Sequence, residues 1–345
     1  MSKETITPKY VFDSAILKEN YFKMKENLYP CEIHFALKSN SNADVLKVLK
    51  DVGSSFECAS VNEYELLRKI GVENDRIVFG LPIKTEDIIT RVYSGGCRYF
   101  VFEDIRELAK LERLAPDAKK VLRLYTVDLI PTNIAYGMPL ELIEKYNKEE
   151  SLLSRIDGLS FHISNNTDVD NMMSMLERAK YVLRSIPDQN GKELILNIGG
   201  SYSIDAPSSY YDTIRDGLKD LTGKYNIKLK AEPGMSIVNS AGCFYTRVVM
   251  TKEYDVYTDV YIDGGTPNGI FGEPSKVTLV SEAPECKRRF YRFIDITCIH
   301  KVLFQKRMNV SIRENDLLRF ENMGAYSVVY QNKFHLWDEP LVEMI

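Results

Sequence analysis

The stretch IHFALKSNSNADVLKVLKDVGSSFEC, residues 33–58, decides the fold. An apolar run, Ile33–Leu37, precedes a segment with apolar residues every three or four positions, Ala43–Val52, and a second apolar run, Ser55–Cys58. This pattern is typical of a strand, an amphipathic helix and a second strand. The connection is long enough for a crossover, so the two strands are predicted to be parallel.

The same alternation continues through the first two-thirds of the chain. The next helix is predicted over Val61–Ile70, where Ser60 and Glu63 have the spacing of a capping box, and a later one over Val169–Ile186. Eight strands are predicted in all: Ile33–Leu37, Ser55–Cys58, Arg76–Phe79, Arg98–Phe102, Lys119–Tyr125, Ile156–Phe161, Glu193–Ile198 and Lys228–Glu232. Eight strand–helix units predict an α/β fold, a closed TIM-like (β/α)8 barrel.

The pattern changes after about Cys243, where helical periodicity is largely lost. Strand-like runs separated by turn signals follow, at Arg247–Met250, Val256–Ile262, Lys276–Val280, Arg289–Ile296 and Leu317–Phe320. We therefore predict a barrel domain over 13–241 and an all-β domain, a sandwich or barrel-like sheet, over 242–345. Residues 1–12 are assigned to the second domain through the short segment Thr7–Phe12.

Composition narrows the class of protein. The 345 residues are 44% hydrophobic and 27% charged, with a net charge of −4, which is typical of a soluble globular protein. Such a balance gives no broad basic surface for nucleic acid or an anionic membrane. No apolar stretch is long enough to span a bilayer, and the polar N-terminus lacks the apolar centre of a signal peptide. We expect a cytoplasmic protein.

The six cysteines and four histidines are dispersed along the chain. None has the spacing of a zinc site or a redox dithiol, so no metal centre is predicted. In a reducing compartment the cysteines are expected to be thiols, most of them packed in the core.

Active sites of such barrels lie at the carboxyl ends of the strands. Lys38, Arg123, His162, Gly199-Gly200 and Glu232 all follow or end a predicted strand. Each has an ordinary interpretation: a solvated lysine, a core histidine, a simple turn, a structural acid. Lys38, however, comes directly after an apolar strand, so we expect its amine to be partly desolvated and nucleophilic.

Together these residues match the needs of one cofactor. A lysine can form a Schiff base, the backbone at Gly199-Gly200 and Pro233-Gly234 can hold a phosphate, and Glu232 can pair with a protonated ring nitrogen. This combination points to pyridoxal 5′-phosphate, or PLP.

Six motifs resemble the ornithine/diaminopimelate decarboxylase family, the fold-type III PLP enzymes. They span nearly the whole chain: HFALKSN from His34, FECAS from Phe56, FHI from Phe161, NIGG from Asn197, AEPG from Ala231 and FENMGAY from Phe320. The resemblance implies a PLP barrel followed by a β-domain. It also implies a homodimer whose active sites are completed across the subunit interface.

The resemblance assigns the catalytic roles. Lys38 would hold PLP covalently, Glu232 would keep the ring nitrogen protonated, and His162 would stack on the ring. Cys298 of the partner subunit would return a proton to the α-carbon. The cofactor-binding set would comprise Lys38, Glu57, Arg123, His162, Asn165, Gly199, Gly200, Glu232, Gly234, Met235 and Tyr326.

Departures from the family pattern concern the substrate. Ile299 stands after Cys298 where relatives carry an acid, and the second acidic contact falls on Ser281. Burying an ammonium group without a carboxylate partner costs roughly several kcal/mol. Ornithine and lysine are therefore expected to be poor substrates. The predicted substrate-binding residues are Cys298, Ile299, His300, Ser281 and Phe334.

Met235 replaces the phosphate-loop arginine of many relatives, and Asn165 stands where they have a glycine-rich segment. Diaminopimelate therefore also becomes a less suitable substrate. We predict an α-decarboxylase for an amino acid or conjugate without a distal ammonium, in a setting such as siderophore or peptide-antibiotic synthesis.

Two alternatives stay open. An amino-acid racemase shares the barrel-plus-β-domain plan, although it needs a second catalytic base in place of Cys298. A decarboxylase-like regulatory protein without activity is the other alternative, and Ile299 and Met235 are compatible with it.

Overall fold

The computed structural model describes residues 6–126, 136–164, 168–187, 191–280, 285–298 and 302–345, with the backbone alone for 285–287. The chain divides into two compact units. One contains the residues up to 18 together with 39–48 and 237–345, and the other contains 19–38 and 49–236. Residues 13–18 and 39–48, which the sequence assigns to the barrel domain, group with the C-terminal residues. The predicted domain boundaries, 13–241 and 242–345, stay a prediction.

The described structure begins with strand β1 (Lys9–Phe12) and helix α1 (Ser14–Asn27). Eight parallel strands then close into the predicted barrel. These strands are β2 (Glu32–Ala36), β3 (Ser55–Cys58), β4 (Ile77–Phe79), β5 (Tyr99–Phe102), β6 (Lys119–Arg123), β7 (Gly158–Ser160), β8 (Leu194–Asn197) and β9 (Ile227–Ala231). Each overlaps a predicted strand, and most are one to three residues shorter at an end.

Helices connect the strands along the barrel, and a short one follows β9. They are α2 (Ala43–Asp51), α3 (Val61–Lys69), α4 (Glu86–Ser94), α5 (Ile105–Leu114), α6 (Leu140–Glu150), α7 (Val169–Arg184), α8 (Ser208–Thr222) and α9 (Met235–Val238). The predicted cap of α3 is half confirmed. Ser60 Oγ accepts the Glu63 N–H at 3.1 Å, but the Glu63 carboxylate accepts the N–H of Ala59, one residue before the expected donor.

The other unit is built on a mixed sheet with the order β12–β15–β10–β11–β13–β14. Its strands are β10 (Gly242–Glu253), β11 (Thr258–Ile262), β12 (Lys276–Leu279), β13 (Glu285–Asp295), β14 (Val302–Val310), β15 (Leu317–Glu321) and β16 (Leu341–Met344). As predicted, the N-terminal strand joins this sheet: β1 pairs antiparallel with β10 and also parallel with β16. The sequence did not reveal β14 or β16.

Aromatic rings fill the centre of this unit. The Phe293 and Phe304 rings stack with centroids 4.6 Å apart, and Phe320 meets both edge-on. Phe244 lies between Phe320 and Tyr10, which brings the N-terminal strand into the same core. Among the described residues, no helix is long and apolar enough to cross a lipid bilayer.

The barrel interior combines an apolar layer with a buried polar network. Val78, Val101, Val121 and Ile195 pack with Tyr99. Lys230 lies with its Nζ 5.5 Å from the centre of the Tyr99 ring.

Lys230 is the centre of the polar network. Its Nζ lies 2.7 Å from Nε2 of the fully buried His34 and 3.1 Å from the carboxylate of Glu32. Ser55 Oγ donates to the other Glu32 oxygen at 2.7 Å. Burial is the main cause that lowers the pKa of His34 to about 4, with the Lys230 charge acting the same way. The neutral imidazole therefore accepts a hydrogen bond from the Lys230 ammonium.

This network predicts an acid-sensitive barrel. The unfolded chain binds a proton at His34 below pH ~6.5, whereas the folded chain does so only below about 4. The free energy of unfolding should therefore fall by ~3 kcal/mol as the pH drops through that window. His34→Gln should flatten this part of the curve in urea titrations. His335→Gln, at an exposed histidine, is the control and should leave the slope unchanged; equal slopes in all three proteins would contradict the prediction.

Candidate active site

Lys38 lies just beyond the first barrel strand, in a single 3-10 turn over Leu37–Ser39. The Lys38 side chain is exposed, so the expectation that its amine is partly desolvated is wrong. The physical reason is that β2 ends at Ala36, and the turn carries Lys38 away from the apolar wall. Its charge still reaches neighbouring strand ends, where it lowers the pKa of His162 and opposes the rise of the Glu57 pKa.

His162 follows the short strand β7 and is held at both ring nitrogens. Nδ1 accepts the Gly200 N–H at 3.3 Å, and Nε2 lies 3.5 Å from Ser201 Oγ. Burial, followed by the charges of Lys38 and Arg123, lowers the pKa of His162 to about 3. The imidazole is neutral at physiological pH, which suits a ring that packs on another ring and rules out a role as a resident cation.

The glycine pair after β8 is required by close packing. Gly199 has φ +70°, and a Cβ there would lie 2.4 Å from the Phe161 carbonyl oxygen. A Cβ on Gly200 would lie 2.3 Å from the carbonyl oxygen of Glu232. Only glycine allows the backbones of these strand ends to approach so closely.

The N–H groups of the pair already have acceptors within the protein. Asn197 Oδ1 accepts the Gly199 N–H at 3.0 Å, and His162 Nδ1 accepts the Gly200 N–H at 3.3 Å. A phosphate that used these N–H groups would therefore have to compete with Asn197 at Gly199 and with His162 at Gly200, where the bond is longer.

Glu232 directly follows β9 and is fixed by two short hydrogen bonds. Its backbone N–H donates to the Gly199 carbonyl at 2.6 Å. Its carboxylate Oε1 accepts from Asn197 Nδ2, also at 2.6 Å. Asn197 was not among the predicted site residues, although its place at the start of the NIGG motif was a usable signal.

Glu57, on β3, is a second acid of the site and is buried. Burial and the negative charge of Glu232 raise its pKa to about 8, against the opposing charges of Lys38 and Arg123. The protonated, uncharged form of Glu57 is therefore favoured at neutral pH. The space for it comes from Gly80, where a Cβ would lie 2.2 Å from Glu57 Oε1.

Arg123 ends β6 among acidic side chains. Burial lowers its pKa, and the charges of Glu232, Glu103 and Glu57 oppose that shift. The guanidinium lies 5.4 Å from the centre of the Tyr136 ring. Arg123 therefore offsets the negative charge of Glu232 and Glu103 at this end of the barrel.

The remaining predicted residues are divided between the units. Gly234 and Met235 lie after β9 in the barrel unit, and Tyr326, Cys298 and Phe334 belong to the sheet-containing unit. Gly234 is buried, and Met235, which begins α9, is 49% exposed. The Tyr326 N–H donates to the Ser39 carbonyl at 2.8 Å, within the sheet-containing unit. Cys298 and Phe334 are exposed in that unit. Asn165, Ser281, Ile299 and His300 lie outside the described residues, so their predicted roles stay predictions.

The arrangement in the barrel fits PLP. Lys38 offers a primary amine to an aldehyde, Glu232 presents a fixed carboxylate to a ring nitrogen, and His162 offers an uncharged flat face. The absence of side chains at Gly199 and Gly200 lets a bulky anion approach the backbone. A barrel with this set at its carboxyl end, together with a separate β-sheet unit, defines a barrel-type PLP-dependent enzyme.

The comparison with known families agrees. Residues 14–239 match the family described as "Pyridoxal-dependent decarboxylase, pyridoxal binding domain". The match covers well over half of the chain, and the protein belongs to this family of PLP-dependent decarboxylases.

Two kinds of relative are equally similar in sequence. The chain is 25% identical over 365 residues to an ornithine decarboxylase of Mus musculus, covering 96% of this chain and 79% of the relative. It is also 25% identical over 362 residues to "Antizyme inhibitor 2" of Xenopus laevis, covering 94% and 78%.

Solved structures share the fold. The arginine decarboxylase of Paramecium bursaria Chlorella virus superposes with a TM-score of 0.89 at 23% identity, covering 99% of this chain and 97% of that one. A lysine/ornithine decarboxylase from Vibrio vulnificus superposes with a TM-score of 0.85 at 22% identity, covering 99% and 96%. The predicted architecture of a barrel and a β-domain is thereby confirmed.

The packing at Gly200 gives a test of the site's architecture. Gly200→Ala should displace the Glu232 carbonyl and lower the free energy of unfolding by ~1–3 kcal/mol, as overpacking does. Gly272→Ala, where a Cβ meets nothing within 4 Å, is the matched control and should change it by less than ~0.5 kcal/mol. Equal stability of the two variants in urea unfolding would show that the strand ends are not closely packed.

Proposed function

We propose that this protein catalyses the α-decarboxylation of an amino acid or amino-acid conjugate that lacks an ornithine-type distal ammonium. The observation that carries the proposal is the contact set at the end of the barrel. Glu232 is bonded to the Gly199 backbone, Gly200 to His162, and the Lys38 charge acts on His162. The residues that the resemblance assigns to the cofactor therefore belong to one local arrangement.

When bound, PLP supplies an electron-accepting ring that takes up the electron pair left by the departing carbon dioxide. The chain's own residues have supporting tasks. Lys38 would bind the aldehyde, Glu232 would hold a proton at the ring nitrogen, and His162 would keep water from one face of the ring. Protonated Glu57 and cationic Arg123 would limit the negative charge around Glu232.

The substrate part of the proposal is supported by sequence alone. Ile299 and Ser281 provide no carboxylate where the family pattern places acids, so a distal ammonium would be desolvated without a counter-charge. The neighbouring His300 suits a neutral or anionic tail. A modified amino acid, such as a precursor of a siderophore or peptide antibiotic, has this chemistry.

We also propose a homodimer that shares its active sites. Tyr326, Tyr330 and Phe271 form an exposed aromatic cluster, with Tyr326 and Tyr330 stacked and Phe271 edge-on to Tyr330. Phe334 and Trp337 are exposed nearby in the sequence. Exposed aromatic surfaces of this kind mark protein interfaces. Cys298 of the partner subunit would then serve as the proton donor.

A cytoplasmic location is proposed on the state of the thiols. The described cysteines Cys31, Cys58, Cys97, Cys243 and Cys298 are all free. Burial raises the pKa of Cys31 to about 12 and that of Cys97 to about 11, which keeps both as inert core thiols.

A regulatory protein without activity is the second candidate. The similarity to "Antizyme inhibitor 2", a protein named for inhibition, is as high as that to the ornithine decarboxylases. The contacts of Glu232 and His162 described above favour the enzyme.

Release of carbon dioxide from a panel of amino acids tests the proposed function. Acylated or otherwise neutral-tailed substrates should be turned over faster than ornithine or lysine by ~10²-fold or more, because a missing ion-pair partner costs several kcal/mol, about 3–5 by analogy with broken buried pairs. Ornithine as the best substrate would contradict the substrate class. Racemisation without carbon dioxide release would support a racemase instead.

Lys38→Ala is the control for the same experiment. The wild-type protein with PLP should show a visible absorbance band that borohydride abolishes, and Lys38→Ala should lack both the band and turnover. Exposed Lys333→Ala, also a lysine replacement, should keep both. A protein that takes up no PLP would favour the regulatory candidate.

Cys298→Ala tests the proposed proton donor. Carbon dioxide release should persist in part, while a share of the product appears as an aldehyde because the α-carbon is not protonated correctly. Cys243→Ala, at a half-buried cysteine of the sheet, should keep the wild-type product. Identical product mixtures for the wild type and Cys298→Ala, measured by chromatography, would assign the proton to another acid.

A further inference from the structure

Asn197 connects two parts of the site that the sequence treats as separate motifs. Its side chain donates from Nδ2 to Glu232 Oε1 at 2.6 Å and accepts the Gly199 N–H through Oδ1 at 3.0 Å. The Glu232 N–H in turn donates to the Gly199 carbonyl at 2.6 Å. These three hydrogen bonds close a ring that joins the acid after β9 to the turn after β8.

The surroundings make this link rigid. Asn197 is 1% exposed and is the last residue of β8. Its own backbone carbonyl accepts the Phe161 N–H at 3.0 Å. Gly199 has no room for a side chain on that side, as described above. An amide held in this way cannot turn to exchange its donor and acceptor without breaking two buried hydrogen bonds.

The amide is matched to the charge of its partner. An N–H donor stabilises the ionised form of a carboxylate, and it occupies only one of the two oxygens. The bond from Asn197 uses one lone pair of Oε1, so the carboxylate keeps further acceptor sites for a protonated ring nitrogen. The negative charges of Glu232 and Glu103 already act on this end of the barrel, and a neutral side chain at 197 adds no further negative charge.

We propose that Asn197 is a positioning residue, which holds the Glu232 carboxylate toward the ring nitrogen of a pyridine cofactor. The proposal rests on the proposed function, since it requires that the protein binds PLP. A purely structural role, in which Asn197 only closes the Gly199 turn, is the competing explanation.

The positioning role and the purely structural role predict different binding preferences between two cofactor-like compounds. PLP and its 1-deaza analogue have the same aldehyde and phosphate, but the analogue lacks the ring nitrogen. Affinity for the analogue reports the fold, the glycine turn and Lys38. The preference for PLP over the analogue reports the interaction between Glu232 and the ring nitrogen.

The experiment measures equilibrium binding of both compounds to the full-length protein freed of cofactor. The wild type should prefer PLP by about 10- to 100-fold, the range for one charge-assisted hydrogen bond. Glu232→Gln should lose this preference, as the positive control. Asn197→Ala should lose most of it as well.

Asn197→Asp separates the donor from the acceptor. Its carboxylate still accepts the Gly199 N–H, so affinity for the analogue should stay at the wild-type value. It places a second acid against Glu232, so the preference for PLP should fall toward unity. This variant also keeps the test decisive if Asn197→Ala does not fold.

The outcomes are distinct. A wild-type preference retained by either Asn197 variant, or an equal loss of affinity for both compounds, overturns the positioning role and leaves a structural one. A wild type without any preference also overturns it. A wild type that binds neither compound refutes the proposed function itself.

Discussion

The close approach of two strand ends is the constraint on which the rest of this site depends. The Glu232 N–H donates to the Gly199 carbonyl oxygen at 2.6 Å. At Gly199 and Gly200 the neighbouring strand ends leave no space for a Cβ. Because of this approach, Asn197 reaches the Glu232 carboxylate and Gly200 reaches His162. Any side chain at the glycine pair would separate these groups, however well each was retained individually.

Charge is distributed around this framework in a consistent way. His162 is neutral because it is buried beside the cations Lys38 and Arg123. Glu57 is mostly protonated because it is buried beside Glu232. The same strand ends therefore hold a neutral ring, a carboxyl group whose uncharged form is favoured, and a carboxylate that accepts a hydrogen bond from an amide. Such differentiation between like groups is typical of catalytic sites.

A charged side chain in the barrel interior, away from the candidate active site, also has its partners. Lys230 is accommodated because Glu32 and a neutral His34 both accept from it, so the buried ammonium has partners. The relatives include both decarboxylases and a protein named as an inhibitor, and overall similarity does not separate them.

The sequence by itself determined the alternation of strands and helices, the number of barrel strands and the residues at their carboxyl ends. Local periodicity encodes these features, since an apolar run or a helical repeat depends only on near neighbours. It did not reveal β16, which pairs with the distant β1, or β14, which pairs with the preceding β13, because cross-strand pairing stabilises both more than any local pattern. The exposure of Lys38 was also beyond it, because Lys38 lies in the turn after β2, and the tertiary structure decides which side chains of a turn are covered. Only the tertiary structure brought Asn197 to Glu232, since their contact depends on how closely β8 and β9 pack, a property of backbone geometry that residue spacing does not record.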